Sequence, residues 1–279
     1  MNRKPGAGTA TVPVRRYGGG DDADTVAVEE PLLIALQWPG GQRDLAVTMR
    51  TPGADAELAV GFLIGEGLLT DGNTVTGVKV STTAPDGTAD AVATVALAAA
   101  PPADVLERER NFYMTSSCGV CGKAALEAVR VRAGYNTADA PLTVSANVIR
   151  ALPGRLLNAQ PLFAGTGSLH AAAFFTADGS FAGLFEDVGR HNAVDKLVGD
   201  AWQNGGLPAA DRGLVVSGRA SFELMQKARL AGCALLVAVG APSSLAVELA
   251  WEAGMTLVGF ARDDRFNVYA GPARIADLS

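Results

Sequence analysis

Cys118-Gly119-Val120-Cys121, followed by Gly122-Lys123, is the segment of this chain best suited to covalent chemistry. A helix is expected to open just after it, over Ala124–Ala133. A helix N-terminus carries partial positive charge and Lys123 adds a full one, and both favour a thiolate, which is the reactive form. The flanking glycines remove bulk, so a partner's sulfur could approach closely. Three uses fit such a pair: disulfide exchange, half of a zinc site, or sulfur relay through a persulfide. A structural zinc site needs further ligands, but the chain holds only three cysteines and two histidines. The third, Cys233, opens an apolar run and reads as a small buried residue. Deaminase-type zinc needs His-x-Glu before its cysteine pair, and neither His170-Ala171-Ala172 nor His191-Asn192-Ala193 supplies it. No metal is therefore expected, and disulfide exchange and sulfur relay both remain open.

Glu186-Asp187-Val188-Gly189-Arg190-His191-Asn192-Ala193-Val194-Asp195-Lys196 is a second site candidate. A strand ends, a glycine turns the chain, and a helix opens on Arg190 and His191. Helix N-termini bind anions, and these side chains add donors. Asp195 is one turn beyond His191 and could orient its imidazole. Ion pairing on a helix surface would alone account for Asp195 and Lys196. Ser217-Gly218-Arg219 and Ser243-Ser244 occupy two successive strand-to-helix loops. That is the ligand side of a parallel sheet, although single Ser-Gly loops are often only caps. The next strand leads into Phe260-Ala261-Arg262-Asp263-Asp264-Arg265, which adds two more arginines. Together these loops could form a crevice for an anionic nucleotide. His170 follows Gly165-Thr166-Gly167 and suits a core hydrogen bond as well as a functional role.

The elements that must position these residues follow from period and punctuation. Residues 1–24, rich in Gly, Pro, Arg and Asp, read as a disordered tail. Pro31–Trp38 and Arg43–Arg50 form an expected hairpin. A helix over Ala56–Leu69 and strands near Thr74–Ser81 and Ala89–Ala98 complete an N-terminal α+β part, 25–113. Residues 114–279 form an α/β part. A helix is expected over Ser145–Leu157, and strands over Ala171–Thr176 and Ser180–Glu186. Next come a helix over His191–Gln203 and a β-α-β-α-β run from Gly213 to Phe260, with short links and apolar strands. Such a run predicts right-handed parallel crossovers with helices covering the sheet.

Of the 279 residues 48% are hydrophobic and 19% charged, an ordinary globular balance. The net charge of −6 argues against a nonspecific nucleic-acid binder, which needs a basic surface. Met1–Asp24 lacks the apolar run of a secretory signal, and no stretch has transmembrane length. Three cysteines are too few for a disulfide scaffold, which fits a reduced, cytoplasmic setting.

Thr115-Ser116-Ser117-Cys118-Gly119-Val120-Cys121-Gly122-Lys123 resembles the signature of the FdhD family of formate dehydrogenase accessory sulfurtransferases. Further segments match that family in order: Gly61-Phe62-Leu63 with Glu66-Gly67, Thr166-Gly167 with His170, Glu186 through Lys196, Ser217-Gly218-Arg219, and Ala241-Pro242-Ser243-Ser244. The resemblance implies a cytidine deaminase-like sheet and a homodimer. It further implies sulfur accepted from a cysteine desulfurase as a persulfide on Cys118, with Cys121 its partner. The implied recipient is a bis(molybdopterin guanine dinucleotide) cofactor, with Mo or W, destined for the formate dehydrogenase catalytic subunit. Phe260–Arg265 matches the family's cofactor-binding stretch by position, and GDP-like nucleotides are expected to occupy the same place. The residues expected to hold the cofactor are Arg190, His191, Ser217, Gly218, Arg219, Ser243, Ser244 and Phe260 through Arg265. A thiol-disulfide oxidoreductase and a cofactor chaperone that carries no sulfur are the rival readings.

Overall fold

The structure is a computed structural model that describes residues 8–69, 74–82, 90–101 and 135–278. Cys118, Cys121, Lys123 and the helix expected over Ala124–Ala133 lie outside the described residues. So does the boundary expected at 113/114.

The chain begins with β1 (Thr9–Arg15) and β2 (Asp21–Ala27), an antiparallel pair. This corrects the expected disordered tail over most of its length. The Gly-rich, charged composition concealed a hairpin whose turn holds Gly18 at φ 73° and whose strands are linked by an Arg16–Asp22 ion pair at 2.8 Å. Val28 N–H donates to Gly8 O, closing the hairpin's base.

Next come β3 (Glu30–Trp38), β4 (Gly41–Arg50), α1 (Asp55–Gly65), β5 (Val75–Thr82) and β6 (Ala91–Leu97). The strands form one sheet in the order β4-β3-β6-β5, with β3 and β6 parallel. Leu32, Ile34 and Leu36 on β3 face α1 through Leu58, Ala59 and Leu63, the period of two that an amphipathic strand requires. α1 stops short of the expected Leu69. Gly67 adopts a left-handed conformation at φ 64°, and Leu68 N–H returns to Leu63 O, a Schellman-type stop.

The second half holds β7 (Val144–Ser145), α2 (Ala146–Asn158), α3 (Pro161–Thr166), β8 (His170–Phe175) and β9 (Phe181–Asp187). After them come α4 (Arg190–Gln203), β10 (Gly213–Val216), α5 (Phe222–Leu230), β11 (Leu235–Ala238), α6 (Ser244–Glu252), β12 (Thr256–Gly259), β13 (Asn267–Ala270) and β14 (Ile275–Ala276). Six of these strands form a sheet in the order β13-β12-β11-β10-β8-β9. β10, β11 and β12 run parallel, as the β-α-β-α-β pattern predicts, while β8 and β13 run antiparallel to their neighbours. Leu214, Val216, Leu236, Ala238 and Leu257 face α4, α5 and α6. Val215, Leu235, Val237 and Val258 face α2 through Ile149, Leu152 and Leu156. Helices thus cover both faces of an apolar sheet, as parallel strands demand.

The two sheets are joined by the crossing of α1 over α4. A methyl group on Gly61 would lie 1.8 Å from Asp195 O, and one on Gly199 would lie 1.9 Å from Glu57 O. Only glycine permits that approach, so the helices meet backbone to backbone. Among the described residues no helix is long and apolar enough to cross a membrane.

Candidate functional site

The three loops that leave β10, β11 and β12 lie side by side at the carboxyl edge of the sheet, and backbone hydrogen bonds lace them together. Gly240 N–H donates to Gly218 O at 2.8 Å, Ala220 N–H to Ala241 O at 3.1 Å, and Ser243 N–H to Ala220 O at 3.0 Å. Phe260 N–H donates to Gly240 O at 3.0 Å. A methyl on Gly240 would sit 2.9 Å from Arg219 Cα, so glycine lets the first two loops touch. The structure therefore brings Ser217-Gly218-Arg219, Ser243-Ser244 and Phe260–Arg265 to one rim.

Along that rim the side chains divide by what they already do. Ser217 Oγ accepts from Ala171 N–H at 2.9 Å, extending the β8–β10 pairing. Ser243 Oγ caps α6 by accepting from Ala246 N–H at 3.3 Å. Ala261 is buried and offers only backbone. Asp264 pairs with Arg265 at 3.3 Å, and Asp263 leans on α2, its Oδ1 3.3 Å from where a methyl on Gly154 would lie. Arg219, Ser244, Arg262 and Arg265 are exposed. Phe260 is also exposed, in a left-handed conformation at φ 52°, rare for an aromatic residue and a form of strain that collects at functional sites. Phe260, Arg262, Arg265 and Asn267 line an open pocket of about 250 Å³.

The helix-opening motif separates into two groups. Its carboxylates, Asn192 and Lys196 are structural. Asp187 accepts from Thr51 N–H at 3.1 Å, Gly189 N–H at 2.8 Å and Asn192 Nδ2 at 3.0 Å, and it pairs with Lys196 at 2.7 Å. Lys196 and Asn192 reach on to Thr51 O and Met49 O of the N-terminal part. Glu186 caps α3, accepting from Leu162 N–H and Phe163 N–H. The expectation that Asp195 orients His191 is corrected. Asp195 lies beneath the α1 crossing and pairs with Lys227 at 2.8 Å. Asp195 and Lys196 are buried, not on a helix surface.

Lys227, which the sequence reading missed, is the hub of that crossing. Its ammonium meets Asp195 and Glu66 and lies 5.6 Å from the centre of the Phe62 ring. Burial opposes its charge, but the two carboxylates outweigh burial and hold its pKa above the usual lysine value. A methyl on Gly65 would sit 2.8 Å from its Nζ. The signal was a lysine among Leu224, Met225 and Ala228, inside the apolar stripe of a helix.

Arg190 and His191 instead face the carboxyl edge. His191 Nε2 lies 3.4 Å from Ser221 Oγ at the start of α5. Burial, then Lys227 and Arg190, push its pKa down to about 4. His170 lies in the same cluster, where burial and then Arg190 lower its pKa. Arg190 Nε is shielded from solvent and has no hydrogen-bond partner among the described residues, a state that costs about 1–3 kcal/mol when nothing accepts from the donor. The edge thus combines an exposed rim of arginines and an aromatic with a half-buried inner cluster of Arg190 and two neutral imidazoles. Such a surface can hold an extended anion with a planar base.

Comparison with known proteins gives a consistent picture. The model of the FdhD/NarQ family matches residues 27–276. A protein of Streptomyces coelicolor named sulfur carrier protein FdhD is 50% identical over 256 residues, 91% of this chain and 89% of that protein. Proteins of the same name from Mycobacterium tuberculosis and an Anaeromyxobacter species are 47% and 43% identical, covering 90% and 92% of this chain and 92% and 90% of their own. The crystal structure of a candidate formate dehydrogenase accessory protein from Desulfotalea psychrophila superposes with a TM-score of 0.69 at 25% identity, over 96% of this chain and 98% of that one.

Proposed function

The chain belongs to the FdhD/NarQ family, and we propose that it is a cytoplasmic, homodimeric sulfurtransferase serving formate dehydrogenase. Its relatives' name, sulfur carrier protein FdhD, supports sulfur carriage. The site observation that carries the reading is the laced rim at the carboxyl edge, where three loops present arginines and a strained, exposed phenylalanine. The cofactor we assign to it, a bis(molybdopterin guanine dinucleotide) with Mo or W, is a client with two pyrophosphates and two guanines. The rim residues Gly218, Arg219, Ser243, Ser244 and Phe260 through Arg265, with Ser217 beneath and Arg190 and His191 inside, would bind and orient its anionic groups. The same loops would accept GDP. We read the sheet as cytidine deaminase-like, a reading supported by the strand order and the antiparallel β8.

In this account the Cys118 thiolate attacks the terminal sulfur of a cysteine desulfurase's persulfide. The S–S bond of Cys118 forms as that of the donor breaks, and the donor leaves as a thiolate, so nothing is oxidised or reduced overall. For onward transfer the Cys121 thiolate would attack the inner sulfur of the Cys118 persulfide, so that the bond to the outer sulfur breaks, a Cys118–Cys121 disulfide forms and the outer sulfur leaves as sulfide for the cofactor. A cellular dithiol then reduces the disulfide and restores both thiolates. The experiment is incubation with a desulfurase and cysteine, followed by peptide mass mapping. The expected result is one added sulfur on Cys118, lost in Cys118→Ala and kept in Cys121→Ala, whose onward transfer falls. Unchanged loading in Cys118→Ala would overturn the assignment.

A further inference from the structure

This inference deepens the proposed reading and rests on it. We infer that the inner end of the crevice, formed by His170, Arg190, His191, Gly218 and Ser221, is a dedicated site for a compact tetrahedral oxyanion. That chemistry is shared by the phosphate of a nucleotide and by a molybdate-type metal oxyanion.

Three observations converge on it. Arg190 holds a desolvated Nε–H that no atom of the described residues accepts, and an anion at this place would satisfy it with a charge-assisted hydrogen bond. A methyl on Gly218 would lie 3.6 Å from His170 Nδ1 and 3.7 Å from Arg190 Cδ, so the glycine keeps that volume open between them. Last, His170 Nδ1 lies 3.6 Å from where a methyl on Gly218 would sit, and His191 Nε2 lies 3.4 Å from Ser221 Oγ.

The charges facing this cluster come from every side. His170 senses Arg190 and Asp187. His191 senses Lys227, Arg190, Glu223 and His170. Glu223 is the near counter-charge, since it interacts with both Arg190 and His191. Burial, then Lys227 for His191, and Arg190 for both, keep the imidazoles neutral, so Arg190 is the full positive charge that meets an anion. An oxyanion offsets the field of Arg190 and accepts from an imidazolium, which raises both histidine pKa values. Glu223 competes for Arg190 and must weaken the anion.

The chain contains only two histidines, and both lie in this cluster, so they report on it alone. The experiment follows their imidazole proton resonances against pH in the full-length protein, with inorganic phosphate, molybdate and GDP added separately. The expected result is a saturable rise in both pKa values, by about half a unit or more, with at least one of the three. Arg190→Gln should abolish the rise, Arg190→Lys should retain part of it, and Glu223→Gln should tighten binding severalfold. A response to phosphate and GDP assigns the site to a nucleotide phosphate, and a preferential response to molybdate assigns it to a metal oxyanion. Resonances unmoved by all three, or moved equally in a folded Arg190→Gln, would overturn the inference. Calorimetric binding of GDP with unmoved histidines removes the inner site and leaves the nucleotide reading standing. Phosphate that moves them where GDP does not bind does the reverse.

Discussion

His191 shows how much of its behaviour a residue takes from its neighbours. Its motif suggested a carboxylate partner one turn away, but Asp195 is committed to Lys227, and the imidazole meets Ser221, Lys227 and Arg190 instead. Its pKa near 4 lies below the ordinary value of about 6.5. The unfolded chain therefore binds the proton more readily between those values. The stability contributed by neutral His191 is complete above about pH 6.5 and is lost as the pH falls towards 4. Asp195, pushed up to about 6 by burial, acts in the opposite sense and loses its contribution as the pH rises through 6. Comparison with His191→Gln, which leaves Asp195 in place, isolates the histidine. Between pH 7 and pH 5 the wild type should lose about 1–2 kcal/mol more than this variant in urea unfolding. Equal losses would show that His191 titrates normally. The sequence placed Arg190 and His191 at a helix start, and they are there. Asp187, Asn192 and Lys196 could not be read from it, because each owes its place to Met49 or Thr51, more than a hundred residues earlier.

At the scale of elements, period and punctuation carried most of the fold. β3 and β4, α2, and the run from β10 to β12 fall close to where alternation, helical spacing and turn residues placed them. The misses have local causes. The β1–β2 hairpin was concealed by a composition that usually means disorder, and α3, six residues long, is too short to show a period. The α1–α4 crossing was invisible because it is made of glycines, which leave no hydrophobic pattern. Gly61 and Gly199 lie in helices, where glycine is ordinarily a cost, and close contact with Asp195 O and Glu57 O explains them. Gly61→Ala and Gly199→Ala should each lower stability by about 2 kcal/mol or more, since the new methyl must force two backbones apart. Gly77→Ala, with nothing within 4 Å of its methyl, should stay within about 0.5 kcal/mol. Urea midpoints of the three variants provide the check, and unchanged midpoints for the helix pair would mean that the helices do not touch.

For the whole molecule, the arrangement separates holding from reacting. The buried Lys227 and Asp187 networks join the N-terminal sheet to the helices of the larger one, and so set α4 and α5 against the carboxyl edge. There a chain with a net charge of −6 gathers Arg190, Arg219, Arg262 and Arg265 along one edge of the sheet. That concentration makes a local basic surface on an acidic protein, and the net negative charge elsewhere repels polyanions. The sequence disclosed the two successive Ser-rich loops but not their lacing, which depends on Gly240 meeting Arg219 and on β12 delivering Phe260 to Gly240 O. The claim at the centre of this account is that the edge binds a guanine nucleotide through its phosphates. Calorimetry with GDP and with guanosine tests it most directly. GDP should bind, guanosine should bind at least tenfold more weakly, and Arg219→Ala should weaken GDP binding by about 1–2 kcal/mol. Equal affinity for GDP and guanosine, or full affinity in Arg219→Ala, would contradict it.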